Sequence, residues 1–292
     1  ATLKLNEKNS ISIETKYFTL GDIIFTDIVG NVTGSNTTKE ISQGVKFAHA
    51  FNENFSLGVG AKYFYSNIAG DQYVGGRKTR NINSFAFDIG AEYVNTLKIN
   101  ESLRFDYSTG LALVNFGPRI SYFDEPYEEF DFIPSNLQLG FLIGAQHEIN
   151  KDVSMKYNIA YQAEKQLVPS PPVYSNEIDD NGNRIILSGM NPDISSLTAL
   201  YQSFYDAPDG TSQEFQEITH KIAAEVRFEY RSEYYFAIRY GTFSTFINDE
   251  NIRTRTIGFG LGLDWIYINY RNAFYDKYFE NENHAFTVGL RF

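Results

Sequence analysis

The sequence predicts an all-β protein, an antiparallel β-barrel that crosses a bacterial outer membrane with its strands. Three observations support this fold class: a closing segment that alternates in polarity, about twelve long alternating segments, and connections that alternate between tight and long. In the closing segment, residues 284–292, Phe286, Val288, Leu290 and Phe292 fall on one side of an extended chain. Small or polar side chains fall on the other side, as in a wall strand between lipid and lumen.

The alternating segments recur along the whole chain. Most are about 10–14 residues long, which fits tilted membrane-spanning strands better than the short strands of globular sheets. They are predicted at 10–20, 40–51, 54–67, 83–96, 101–115, 136–149, 152–165, 216–231, 233–244, 253–263, 264–275 and 283–292.

The connections between these segments are of two kinds. Tight turns are predicted at 52–54, 96–100, 150–152, 231–233 and 263–264, and long loops at 21–39, 67–82, 116–135, 166–215, 245–252 and 276–283. Outer-membrane barrels have short periplasmic turns and longer extracellular loops. Counting back from a periplasmic C-terminus, every long loop is therefore expected at the cell surface.

Composition agrees with this class. The 292 residues include 25 Phe and 21 Tyr, which suits aromatic girdles at two membrane interfaces, and no Cys. The mean hydropathy is -0.33, and the absence of an apolar run of about 18 residues excludes transmembrane helices. A net charge of -11 argues against a nucleic-acid partner. The chain starts at Ala1 with no signal peptide, so it is expected to be processed or a fragment.

Charged side chains inside the predicted strands lie opposite the apolar face. They are interpreted as paired charges that fill a polar lumen, and the alternative is that some of them line a translocation path. These residues are Lys62, Asp88, Glu92, Arg104, Asp106, Lys156, Glu225, Arg227 and Glu229.

The sequence contains no pattern that supports catalysis. The four His residues are scattered singly, the HExxH and GxSxG patterns are absent, and without Cys there is no zinc motif. His220 near Glu217 is interpreted as a solvated rim histidine because no nucleophile accompanies it. The chain is therefore predicted not to be an enzyme and to need no cofactor and no metal.

Two of the long loops are the candidate partner-binding regions. The 116–135 loop mixes carboxylates with aromatic rings, and the 166–215 loop is rich in proline and aromatic residues and far longer than a barrel connection requires. The alternative is a lid facing lipopolysaccharide, with no protein partner. The candidate partner-binding residues are Asp124, Glu125, Tyr127, Glu128, Glu129, Phe132, Pro169, Pro171, Tyr201, Phe204 and Tyr205.

Several stretches, in order along the chain, resemble one known family. They read KYFTLGDI at 16–23, FTD at 25–27, GN at 30–31, DFIPSNLQLG at 131–140, KQLVPSPP at 165–172, QSFYDAP at 202–208 and EFQEI at 214–218. In combination they resemble the PorV (LptO) family of outer-membrane proteins of the type IX secretion system.

The resemblance implies a FadL-like barrel of about fourteen strands with an N-terminal plug that enters the lumen. This sequence offers about twelve strands, and neither the plug nor the first hairpin is recognisable before Ser10. We therefore expect a single barrel domain over 1–292 from which the plug and the first hairpin are missing.

The resemblance also implies a function, that of a secretion carrier. Such a carrier docks on a SprA-like translocon, binds secreted proteins by their C-terminal signal domains and delivers them to an attachment complex with a PorU-like sortase. The surroundings are outer-membrane lipid and lipopolysaccharide. The alternative is a FadL-type transporter of hydrophobic small molecules, and a passive porin is the weaker third possibility.

Overall fold

A computed structural model describes residues 1–124, 129–180, 182–247, 250–275 and 283–290. Within these residues, one antiparallel sheet of 13 strands dominates the fold, with three short hairpins and two short helices beside it. The elements are β1 (Thr2–Lys4), β2 (Asn9–Phe18), β3 (Asp22–Thr26), β4 (Val32–Thr37), β5 (Lys39–Ala50), β6 (Phe55–Asn67), β7 (Tyr73–Val74), β8 (Arg77–Lys78), β9 (Ile82–Lys98), β10 (Leu103–Phe116), β11 (Asn136–Glu148), β12 (Val153–Gln166), β13 (Val173–Ile178), β14 (Arg184–Ser188), α1 (Ser196–Gln202), α2 (Thr211–Gln216), β15 (Thr219–Tyr230), β16 (Tyr234–Ile247), β17 (Glu250–Leu263), β18 (Ile266–Tyr275) and β19 (Asn283–Leu290).

The main sheet follows chain order without crossovers. Its order is β1-β2-β5-β6-β9-β10-β11-β12-β15-β16-β17-β18-β19, and every neighbouring pair is antiparallel. All twelve predicted strands are confirmed, and β1 adds a short thirteenth. The sheet is open: its two edges are β1 and β19, and no ladder joins them within the described residues.

Strand alternation places a band of apolar side chains on one face of this sheet. Val59, Ile89, Ile143 and Ile159 are each more than half exposed, and nothing in the described chain covers them. A soluble protein would pay a large hydration cost for such a surface, whereas a membrane wall strand requires it.

The opposite face carries paired charges, as predicted. Lys62 lies 2.9 Å from Asp88, and Lys156 lies 2.9 Å from Glu229. Glu225 accepts a hydrogen bond from Arg239 at 2.6 Å. Each of these charges has its partner on a neighbouring strand, so this part of the face is polar without a single-sign field.

One turn is used four times at the tight end of the sheet. Asn6, Asn52, Asn100 and Asn150 each accept, through Oδ1, hydrogen bonds from the backbone N–H groups two and three residues later, at 2.8–3.0 Å. An Asn side chain that bonds to the backbone in this way favours a turn over continued strand. Four connections are therefore closed by the same local chemistry.

The long connections are more structured than the sequence suggests. The hairpins β3–β4, β7–β8 and β13–β14 and both helices lie within them. The prediction that a strand starts at residue 216 is wrong, since Gln216 ends α2 and β15 begins at Thr219. Among the described residues, no helix is both long and apolar enough to span a membrane.

Candidate functional site

The long connections that are described all leave the same end of the main sheet. They are the hairpin β3–β4, the connection 68–81 with its hairpin β7–β8, the segment 117–135, and an insertion at 167–218. Together they form what we call the loop surface. The two remaining connections at this end, 248–249 and 276–282, lie outside the described residues.

Lys165, near the end of β12, anchors the insertion to the sheet. Its Nζ donates hydrogen bonds to Glu214 at 2.8 Å and to Glu217 at 2.9 Å. Only 5% of Lys165 is exposed. The second oxygen of Glu214 accepts a hydrogen bond from the backbone N–H of Ala207 at 2.8 Å. The Glu214 carboxylate therefore holds helix α2 in place through both of its oxygens. A buried cation shared by two carboxylates leaves no charge without a partner.

We call Lys165, Glu214 and Glu217 the anchor. A third carboxyl group, that of Asp206, lies beside it and is 1% exposed. One of its oxygens accepts the backbone N–H of Ser170 at 3.3 Å, and the other has no hydrogen-bond partner within the described chain. Burial, and then the nearby negative charge of Glu214, raise the pKa of Asp206 above its ordinary value. Asp206 is therefore a weaker acid here than an exposed aspartate.

Arg119 connects the 117–135 segment to the insertion. Its guanidinium donates to Asp193 at 2.6 Å and to the backbone carbonyls of Ile194 at 3.3 Å and Phe130 at 2.8 Å. The same group lies 5.0 Å from the centre of the Phe132 ring. One side chain thus spans the two loops that the sequence singles out as candidate binding regions.

The 117–135 segment also pairs with the neighbouring hairpin β7–β8. The N–H of Arg80 donates to the carbonyl of Tyr122 at 2.8 Å, and the N–H of Asp124 donates to the carbonyl of Lys78 at 3.1 Å. The guanidinium of Arg77 stacks 3.9 Å from the centre of the Phe123 ring. The loop surface is therefore one connected structure rather than a set of independent loops.

The predicted site residues separate into two groups. Asp124 and Glu129 form ion pairs with Lys78 and Arg77 of the hairpin, and Phe132 packs beneath Arg119. These side chains hold the surface together. By contrast, Tyr201, Phe204 and Tyr205 are all substantially exposed, as is Pro171, while Pro169 is half-buried. Glu125, Tyr127 and Glu128 lie outside the described residues.

Two exposed apolar residues were not among the candidate partner-binding residues predicted from the sequence. Leu197 lies four residues before Tyr201 on α1 and is 63% exposed, and Phe215 on α2 is 73% exposed. The spacing of Leu197 and Tyr201 places them on one helix face, which could have revealed them had the helix been expected. The insertion therefore presents exposed apolar and aromatic side chains at Leu197, Tyr201, Phe204, Tyr205 and Phe215, a set that we call the aromatic patch.

The described residues contain no group of three or more His, Cys, Asp or Glu side chains that could hold a metal ion. His220, considered above as a rim histidine, shares a hydrogen bond of 2.8 Å with the hydroxyl of Tyr161. The two rings stack with their centres 6.0 Å apart. What the loop surface offers is contact area and charge, which suits binding.

Comparison with known proteins identifies the family. A family model described as "Type IX secretion system protein PorV" matches residues 2–173. The chain belongs to the PorV family. The predicted resemblance is confirmed, and this PorV-family chain is an outer-membrane protein of type IX secretion.

Three solved structures with a similar course of the chain are distant from it in sequence. A FadL homologue from Pseudomonas aeruginosa is 10% identical, with 94% of this chain and 69% of that one covered at a TM-score of 0.38. The toluene transporter TbuX of Ralstonia pickettii is 10% identical, with 98% and 77% covered at 0.33. The CymD monoaromatic hydrocarbon channel is also 10% identical, with 97% and 78% covered at 0.34. No curated protein matches the chain.

Proposed function

We propose that this chain is a type IX secretion carrier. It binds secreted proteins by their C-terminal signal domains at a SprA-like translocon and delivers them to a cell-surface attachment complex that contains a PorU-like sortase. The family match supplies the secretion system. The single structural observation that carries the binding role is the aromatic patch, which is held on a folded insertion and left uncovered.

The patch has the composition of a protein-binding surface. Aromatic side chains are enriched at the centre of protein interfaces because each one supplies a large contact area with little rotamer entropy. The buried anchor at Lys165 and the bridge at Arg119 hold the helices in place before any partner arrives. A rigid surface avoids part of the ordering cost of association.

In this function the loop surface faces the outside of the cell and the tight turns face the periplasm. The carrier makes and breaks no bond, and needs no cofactor. The FadL-type alternative requires a continuous apolar path, whereas the described inner face carries paired charges such as Lys156–Glu229 and Arg239–Glu225. For this reason we favour the carrier.

The test uses the full chain in its own cells. The double variant Tyr201→Ser/Tyr205→Ser removes two rings that are 56% and 57% exposed and leaves the anchor intact. Two central aromatic contacts are worth about 2 kcal/mol or more in binding, so a purified signal domain should bind at least about tenfold more weakly. Secreted proteins should accumulate in the periplasm.

The control is Tyr73→Ser on hairpin β7–β8, which removes a ring that is 70% exposed and belongs to a different connection. Its binding of the signal domain should stay within about twofold of the unaltered chain. Normal secretion and unchanged binding in the double variant, with the protein inserted at normal levels, would refute the role of the patch.

A further inference from the structure

The face of the main sheet that carries the apolar band, which we call the outward face, has basic side chains at its loop end. Arg253 and Arg255 on β17 lie on this face because they alternate in step with the exposed Ile257 of the same strand. Both arginines are exposed. His220 on β15 is also exposed and shares a row with Arg253, since Ser244 of β16 pairs with both residues.

We call Arg253, Arg255 and His220 the outer basic cluster. The two arginines are two residues apart on one strand, so their Cα atoms are roughly 7 Å apart. His220 is two strands away from Arg253, at roughly 10 Å. Its Nδ1 shares a hydrogen bond of 2.8 Å with the hydroxyl of Tyr161, which holds the ring in the wall. The cluster therefore spans an area about as wide as one lipid headgroup.

The depth of the cluster corresponds to the surface of the membrane. Leu263, at the turn end of β17, and Arg253 are ten residues apart, which is roughly 34 Å along the strand. A strand tilted by about 40° crosses an apolar band about 25 Å tall in nearly that length. Arg253 is therefore level with the lipid headgroups on the loop side. Tyr240 and Ile257, which pair with each other and are partly exposed, lie below the cluster where acyl chains begin.

The cluster is local and does not belong to a continuous girdle. Across β6, β9, β10 and β11, the loop-end residues on the outward face are Tyr65, Asn83, Leu113 and Leu137. None of these four side chains is charged. A basic girdle that served only to mark the membrane surface would recur on these strands as well. Two arginines and a histidine concentrated on β15 and β17 indicate a binding site instead.

The outward face offers this cluster no counter-charge. The chain has 36 acidic residues, yet none of the described residues that alternate onto the outward face of the 13-stranded sheet is Asp or Glu. Strand carboxylates such as Asp88, Glu225 and Glu229 lie on the opposite face. A second copy of the chain that docked wall to wall would therefore bring no carboxylate to the arginines. An anionic lipid would supply the missing charge.

We propose that the outer basic cluster binds a phosphate group of lipid A, the phosphorylated glycolipid of the outer leaflet, with the acyl chains against Tyr240 and Ile257. Arginine suits phosphate because its planar guanidinium donates two parallel hydrogen bonds. Basic side chains beside an apolar surface are a common recognition element for anionic lipid headgroups. The proposal rests on the proposed function only for orientation, in which the loop end of the wall faces the outer leaflet.

The first experiment compares ligands on the unaltered chain. The full chain in a mild non-ionic detergent is titrated with lipid A, with dephosphorylated lipid A and with phosphatidylglycerol, and native mass spectrometry counts the bound lipids. Lipid A should bind at least about tenfold more tightly than either of the others, because it combines phosphate with a large acyl surface. Equal binding of the dephosphorylated form overturns the phosphate contact. Equal binding of phosphatidylglycerol overturns the assignment to the glycolipid.

The second experiment tests the arginines. The double variant Arg253→Gln/Arg255→Gln should bind lipid A at least about tenfold more weakly. The control Lys39→Gln/Arg271→Gln makes the same change in net charge at two exposed cations, one on β5 and one on the inner face of β18, and should bind within about twofold. An equal loss in the two variants overturns the site. So does a dimer of the unaltered chain that the Arg253→Gln/Arg255→Gln change dissociates, since the occupant is then a second copy.

These outcomes separate the lipid site from the carrier role. If the arginine variant loses lipid A and still binds a secreted signal domain, the wall site stands apart from the aromatic patch. If the arginine variant binds lipid A as tightly as the unaltered chain does, the site is refuted and the carrier role is unaffected. If the unaltered chain binds lipid A through the arginines but binds no signal domain, the carrier role fails and the lipid site stands.

Discussion

The two ends of the sheet solve the same problem, which is how to join antiparallel strands, by different chemistry. At one end Asn6, Asn52, Asn100 and Asn150 each close a turn by bonding to their own neighbours. At the other end the loop surface depends on side chains that are distant in sequence, such as Lys165 and Glu214, 49 residues apart. The turn end is fixed locally, and the loop surface is fixed by a few long-range buried polar contacts.

This difference has a functional consequence. A connection of four residues offers little surface for a partner, whereas an insertion that is held from within can leave its outer side chains free for binding. The buried residues Lys165, Glu214 and Asp206 stabilise the insertion, and the exposed Tyr201 and Phe215 are available to a partner. Binding surface and structural support are thus carried by different residues of one segment.

Removing the central cation of the anchor should have the largest effect. Lys165→Met keeps most of the side-chain volume but leaves the buried Glu214 and the half-buried Glu217 without their shared cation, which costs about 3–5 kcal/mol. The insertion should become susceptible to limited proteolysis within 167–218 while the strands stay protected. Lys221→Met is the control, since the Lys221 side chain is 40% exposed and its ion pair with Glu164 is worth about 1 kcal/mol or less.

An equal cleavage rate in the two lysine variants would contradict the importance of burial at the anchor. If Lys165→Met prevents the whole chain from entering the membrane, segment 167–218 and the sheet fold as a single cooperative unit. Either result would weaken the distinction between a locally fixed end and a separately anchored end.

The pH dependence of the anchor should be a smaller effect, and its sign follows from Asp206. Because the folded-state pKa of Asp206 is raised above its ordinary value, the folded insertion binds the proton more tightly than the unfolded chain does. This stability is fully present below the ordinary pKa of about 4 and is lost as pH rises through the raised pKa. Protease resistance of 167–218 should therefore fall with rising pH.

Asp206→Asn mimics the protonated carboxyl group and should flatten this decline. Cleavage rates are compared at each pH after division by the rate for an unstructured peptide, and the difference between the unaltered chain and the variant isolates Asp206 from Glu214, Glu217 and Lys165. Identical pH profiles for the two proteins would show that Asp206 does not titrate within the folded insertion.

The same contrast explains which features of the structure could be predicted from the sequence. Strand positions follow from a period of two, so all twelve long strands could be predicted, and Asn residues at the tight turns are a local signal. Helices of seven and six residues are too short to be predicted from propensity alone. The roles of Lys165 and Arg119 depend on partners 49 and 74 residues away, and no local pattern indicates which carboxylates they meet.

The acidic residues of the 117–135 segment illustrate this limit. The sequence indicates these carboxylates as candidate partner-binding residues, but Asp124 and Glu129 are paired with Lys78 and Arg77 of the adjacent hairpin. Their charge is compensated within the chain. The exposed rings of the insertion remain the stronger basis for partner binding.

The smallest effect is expected at the turn end. Asn100→Ala removes the Oδ1 that accepts the N–H groups of Ser102 and Leu103, both at 2.9 Å, and should cost about 1 kcal/mol because water can replace part of the lost bonding at an exposed turn. Asn100→Asp keeps an oxygen in place and should cost less. Denaturant midpoints of the chain refolded in detergent measure both.

Since the four turns share one geometry, Asn52→Ala should cost about the same as Asn100→Ala, and the two losses should add, because the turns have no common partner. A strongly non-additive result would mean that the turns at this end support one another, and that this end, like the loop surface, is held by contacts the sequence does not reveal locally.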